Sequence, residues 1–221
     1  MDFFVDEVCE REKNNSSCVV IFGGEPLLRK DLIVSLIEKF KAKNKTSGVN
    51  FDLITNGTLI TDEFAQTLKE YQSTLPSTHS YTLQIEVSYD HSGQGERTYS
   101  NGAPSRDKVI QGMELLKKHD VAFVISYVVS PSNVSLVLTD AIYLFLKYAP
   151  IKLGLKWAFT ALEQAGIDHK KEREILLPKL QAVYQKFKIP ICEEVCGACQ
   201  ACDKASKVGN NYCIPENGLH K

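Results

Sequence analysis

Apolar positions along this chain keep two alternating periods, one suited to strands and one to helices. Val19, Val20, Ile21 and Phe22 form an unbroken apolar run, the pattern of a strand in a parallel sheet covered by helices on both faces. Residues 29–43 then set Leu32, Ile33, Leu36, Ile37 and Phe40 on one helical face, with Glu38, Lys39 and Lys43 outside. Further along, strands are expected at 51–55, 81–87, 121–129 and 151–159, and helices at 62–72, 106–118 and from the 130s to about Tyr148. Thr61 and Ser105 are N-caps for two of these helices, and Phe3, Phe4, Val5, Val8 and Cys9 recur at helical spacing, so the chain opens on an amphipathic helix. Regular strand-helix alternation predicts right-handed βαβ units and a parallel sheet.

In such a sheet the carboxyl ends of the strands share one rim, where ligands bind. Four polar groups fall there: Gly23-Gly24-Glu25-Pro26, Thr55-Asn56-Gly57, Ser88 with Asp90, and Ser130 to Asn133. Two glycines permit positive φ and leave no Cβ before a ligand, and Pro26 stops further strand pairing. Glu25 therefore stands beside bare backbone, as an acceptor suited to an ammonium group. A solvated strand-to-helix turn is the alternative reading of the same residues. The longest irregular stretch, residues 90–104, carries Gly93, Gly95, Gly102 and Pro104 and is long enough to be a functional loop.

The chain has 221 residues, 43% hydrophobic content and a formal charge of -1, enough for one sizeable core and a small appendage. Charges of both signs are interspersed, which disfavours a nucleic-acid partner and a polybasic membrane anchor. Residues 1–12 lack the pattern of a signal peptide, and no apolar run nears the roughly 18 residues of a membrane span. A cytoplasmic protein is expected, with a small molecule or peptide as partner and cysteines that are thiols or metal ligands.

Gly23-Gly24-Glu25-Pro26 after an apolar strand resembles the motif with which radical SAM enzymes bind the amino group of S-adenosylmethionine. Leu53-Ile54-Thr55-Asn56-Gly57 resembles that family's third-strand ending and Glu86-Val87-Ser88-Tyr89-Asp90 its fourth, in matching order. The likeness covers nearly the whole chain and is nearest to the group with a SPASM or twitch extension, which includes anaerobic sulfatase-maturating enzymes and peptide maturases. It implies an α/β fold, an incomplete parallel (β/α) barrel over residues 1–188, with an open edge beside Val19 to Phe22. It also implies cofactor contacts from Gly23, Gly24, Glu25, Pro26 and Asn56, with Ser88 and Asp90 near the ribose and Arg97, or Arg106 after it, on the methionyl carboxylate. Tyr89-Asp90-His91 departs from the family's usual Ile-Asp-Gly, and His91 reads as a solvated loop residue.

The resemblance also implies a reaction: S-adenosylmethionine and iron-sulfur clusters, reduced by a small electron-transfer protein, modify a peptide or protein side chain through 5′-deoxyadenosyl hydrogen abstraction. The family's Cys-x3-Cys-x2-Cys loop for the catalytic cluster does not precede Gly23, so this chain alone is expected to be inactive. No catalytic acid or base is assigned. Cys9 and Cys18 read as buried small hydrophobes. Five cysteines crowd together instead at Cys192, Cys196, Cys199, Cys202 and Cys213, a density that signals metal. With Pro215-Glu216-Asn217-Gly218, residues 189–221 resemble the start of a SPASM or twitch extension. An auxiliary four-iron four-sulfur cluster is expected there, with zinc on four thiolates as the alternative. The competing function is a non-catalytic peptide- or partner-binding module with a metal-bound tail.

Overall fold

The computed structural model describes residues 1–11, 17–42, 49–74, 83–90, 98–188 and 191–193. They form two compact units, Met1–Val87 with Lys108–Phe123, and Ser88–Asp107 with the described residues from Val124 on.

The first unit opens on α1 (Asp2–Arg11) and β1 (Ser17–Ile21). A single 3-10 turn, Pro26–Arg29, leads into α2 (Lys30–Ala42), followed by β2 (Val49–Thr55), α3 (Asp62–Thr74), β3 (Leu83–Tyr89) and α4 (Arg106–Lys118). All pairing here is parallel and sequential: Val19 stands beside Phe51, and Phe51 beside Leu83. Burial alternates along β2, where Val49, Phe51, Leu53 and Thr55 are buried and the residues between them half-buried. The buried set meets Ile33, Ile37 and Phe40 of α2 and Phe64 and Leu68 of α3 in one core, with Phe40 edge-on to Phe51 at 5.3 Å. Gln72 of α3 fastens the far end of this unit. Its Nε2 donates to the carbonyls of Leu83 (3.0 Å) and Ala122 (2.7 Å), and its Oε1 accepts from Ala122 N–H (2.8 Å).

β1 departs from the expected double burial. Val19 is buried, but Val20 is 53% and Phe22 74% exposed. Among the described residues β1 pairs with β2 alone, so its outer edge is open, as expected, and its alternate side chains lie bare. Cys18 is also a correction: it is exposed at the start of β1. Partial desolvation and nearby Asp52 raise its thiol pKa, so it is not an activated thiolate.

The second unit contains β4 (Phe123–Val129), α5 (Val137–Tyr148), β5 (Lys152–Trp157), α6 (Phe159–Gln164), α7 (His169–Phe187) and β6 (Ile191–Glu193). Its strands too are parallel and sequential, with Tyr127 beside Leu155 and Leu153 beside Ile191. The strand expected to reach 159 ends at Trp157, because Phe159 starts α6. α7 is capped by Asp168, whose carboxylate accepts from the N–H groups of Lys170 and Lys171. Tyr127, fully buried, donates its hydroxyl to Asp140 of α5 at 2.7 Å, and burial with that carboxylate raises the phenol's pKa. The α/β class and the parallel pairing of successive strands are those of the expected incomplete (β/α) barrel. Among the described residues no helix is long and apolar enough to cross a membrane.

Candidate functional site

Where β1 ends, the backbone turns through two left-handed residues, Gly23 at φ +119° and Gly24 at φ +44°. A Cβ on either would meet nothing within 4 Å, so the backbone here faces open space and is shaped by conformation, not crowding. Glu25 follows in an extended conformation and caps the 3-10 turn, and Pro26 occupies the first turn position, where its missing N–H costs nothing.

The Glu25 carboxylate is held from three directions. Its Oε1 accepts from the N–H of Leu27 (3.0 Å) and from Thr55 Oγ1 (2.7 Å), and its Oε2 accepts from Asn56 N–H (2.8 Å). Thr55 is the last residue of β2 and 1% exposed. Its Oγ1 accepts from Gly57 N–H (3.0 Å), which leaves its own hydrogen committed to Glu25. Asn56 spends its side chain on the turn: Oδ1 accepts from the N–H (2.9 Å) and hydroxyl (2.8 Å) of Thr58. A carboxylate offers about four acceptor positions. Three are filled, and the remaining one, on Oε2 of the half-buried Glu25, suits a single strong donor. An ammonium group beside the open Gly23-Gly24 backbone is such a donor.

A family model for the radical SAM superfamily matches residues 2–134, which include this turn and the strand ends that serve it. The chain belongs to the radical SAM superfamily. It is 28% identical over 173 residues to an uncharacterized protein of Methanocaldococcus jannaschii, covering 76% of this chain and 53% of that protein. It is 22% identical to the radical SAM cyclopropyl synthase TigE of Paramaledivibacter caminithermalis, over 69% of this chain and 30% of that one. Similarity to the AdoMet-dependent heme synthase of Methanosarcina barkeri is 30% identity, over 59% and 33% of the two chains. The chain thus spans about half the length of the first of these relatives and a third or less of the others. Among solved structures, native anSMEcpe with bound AdoMet and Kp18Cys peptide, an anaerobic sulfatase-maturating enzyme, superimposes with a TM-score of 0.58 at 26% identity, over 71% of this chain and 41% of that one.

Of the residues singled out in the radical SAM reading, Gly23, Gly24, Glu25, Pro26 and Asn56 come together in the first unit, with Asn56 contributing its backbone N–H to Glu25. Thr55, which the sequence places at the same rim without a role of its own, is the buried residue that donates to Glu25. In the second unit Ser88 is half-buried near the end of β3 and Asp90 follows directly. Burial raises the pKa of the Tyr89 phenol, and the positive charge of Arg106, at the start of α4, opposes the rise. Asn133 is fully buried and closes its own turn: Oδ1 accepts from Ser130 N–H (2.8 Å) and Nδ2 donates to Val128 carbonyl (2.8 Å). Hence Asn133 is a structural residue at the end of β4. Cys192 stands in β6, in register with Gly154. Arg97, His91, Cys196, Cys199, Cys202 and Cys213 lie outside the described residues.

Among the described residues no three His, Cys, Asp or Glu side chains are grouped to hold a metal. Those residues do not fit a catalytic four-iron four-sulfur cluster. They do fit the amino-acid end of S-adenosylmethionine, through the open glycine turn and the remaining acceptor position of Glu25.

Proposed function

We propose that the chain is the S-adenosylmethionine-holding part of a radical SAM maturase of the SPASM or twitch group, which modifies a peptide or protein side chain. The observation that carries this reading is the three-point clamp on Glu25 beside a glycine turn open to a ligand. The peptide in the similar anSMEcpe structure supports the substrate class. When bound, S-adenosylmethionine supplies the 5′-deoxyadenosyl group that abstracts hydrogen, with electrons from an iron-sulfur cluster and a small electron-transfer protein. The chain's own contribution is recognition. Gly23 and Gly24 let the amino-acid end approach the backbone, and Glu25, held by three hydrogen bonds, accepts from its ammonium. Equilibrium dialysis with radiolabelled S-adenosylmethionine tests this: saturable binding displaced by S-adenosylhomocysteine is expected, and the absence of saturable binding at millimolar ligand overturns the reading.

The cysteine-rich tail is proposed to hold one auxiliary metal centre, four-iron four-sulfur in preference to zinc, on Cys196, Cys199 and Cys202 with Cys192 or Cys213 as fourth ligand. Cysteines separated by two residues can wrap a cubane, and Gly197, Ala198 and Ala201 place no bulk between them. After anaerobic reconstitution, a Cys196→Ala/Cys199→Ala double variant is expected to lose nearly all the iron and sulfide that the wild type binds. Equal metal content in the two proteins, or none in either, removes the tail from the proposal.

A further inference from the structure

We propose that Gly112, in the middle of α4, is a positioning residue for the cofactor's amino-acid end, acting through the Thr55-Asn56-Gly57 turn. The inference rests on the reading of Glu25 as the ammonium acceptor.

A Cβ built on Gly112 would lie 2.3 Å from the carbonyl oxygen and 3.3 Å from the carbonyl carbon of Gly57, and 3.4 Å from Ile60 Cβ. Helix and turn therefore meet backbone to side-chain-free backbone. The approach is about 1 Å closer than a methyl could make, and the atom opposite is backbone, which cannot rotate away as a flexible side chain would. Gly57 is itself closely surrounded: it sits at φ +75°, and a Cβ there would be 3.0 Å from Val87 Cγ1 and 3.6 Å from Val109 Cγ1. Its carbonyl also accepts from Ile60 N–H. A methyl at 112 must therefore push the turn or lift the helix.

That displacement reaches Glu25 by a continuous path. Gly57 N–H donates to Thr55 Oγ1, Thr55 donates to Glu25 Oε1, and Asn56 N–H, between them in sequence, donates to Glu25 Oε2. Two of the three bonds that aim the carboxylate thus originate in the turn that Gly112 props. The consequence is an effect on one part of the ligand only. S-adenosylmethionine has an ammonium for Glu25 to engage, whereas 5′-methylthioadenosine carries the same nucleoside and a sulfur but no amino acid.

The test compares both ligands by calorimetry on the full chain. Wild type is expected to prefer S-adenosylmethionine by at least about tenfold, the scale of one charge-assisted hydrogen bond. Gly112→Ala should lose most of that preference while binding 5′-methylthioadenosine within about twofold of wild type. In a Glu25→Gln background Gly112→Ala should add little, since the two act on the same bond. An equal loss for both ligands, or a preference that Gly112→Ala leaves intact, overturns the proposal. If wild type itself shows no preference, the ammonium reading of Glu25 falls and this inference with it. Should Gly112→Ala not fold, Ile60→Val removes one methyl beside the same turn at small cost. It is expected to lower the preference about threefold, and an unchanged preference in it is the overturning result.

Discussion

Glu25→Ala is expected to weaken S-adenosylmethionine binding by about 10- to 150-fold, the equivalent of losing one charge-assisted hydrogen bond worth about 1.5–3 kcal/mol. The loss has two sources. The ammonium forfeits its acceptor, and the Thr55 hydroxyl and Asn56 N–H, both aimed at the missing carboxylate, are left to compete for whatever the ligand offers. Glu25→Gln is not a silent control, because one face of its amide presents N–H where either Asn56 N–H or the Leu27 and Thr55 donors require an acceptor. It should fall between wild type and alanine. Calorimetric titration of the three proteins checks the order. Unchanged affinity in Glu25→Ala would reduce this carboxylate to the cap of a 3-10 turn.

Asn133→Ala should destabilise the chain by about 2–4 kcal/mol while leaving ligand affinity alone. Its two hydrogen bonds satisfy Ser130 N–H and the Val128 carbonyl, and Asn133 itself is fully buried, so alanine strands one donor and one acceptor where water does not readily replace the amide. Asn133→Asp keeps the acceptor for Ser130 but turns the donor toward Val128 into a second acceptor, and it should be no better tolerated. Urea unfolding monitored by circular dichroism gives the stability change. A loss below about 0.5 kcal/mol, or a drop in cofactor affinity without loss of stability, would return this turn to the set of ligand-contacting segments.

Asn133 also shows where reading residues along the chain runs out. Its place after β4 was legible because an apolar run stops at Ser130-Pro131. Its role was not, since the same polar residue serves a ligand or its own backbone depending on where the side chain turns. The Glu25 motif was legible because glycine, glycine, an acid and proline form an uncommon local pattern. Thr55 is legible at the rim, but its role is not, because that role lies in a contact with a residue 30 positions earlier, which periodicity does not encode. Gly112 left no signal beyond being a glycine in a helix, a substitution that ordinarily weakens one. α7 leaves a weak signal as well. It buries only Leu176, Leu180 and Val183 along 19 residues and carries Pro178 inside, so its apolar stripe is thin and interrupted. Burial on both sides of β1 is expected from the unbroken apolar run Val19 to Phe22, and such a run does not say whether a neighbour exists for each face of a strand.

The bare edge of β1 bears on how the protein reaches its fold. Ser17–Ile21 contains no lysine or proline, the usual devices against unwanted strand pairing, and among the described residues nothing pairs with its outer edge, beside which Val20 is exposed. Pairing of that edge with another molecule is second order in protein, whereas folding is first order. Recovery from denaturant is therefore governed by dilution as much as by intrinsic stability, and the yield of native chain falls as concentration rises even when every other contact described above is intact.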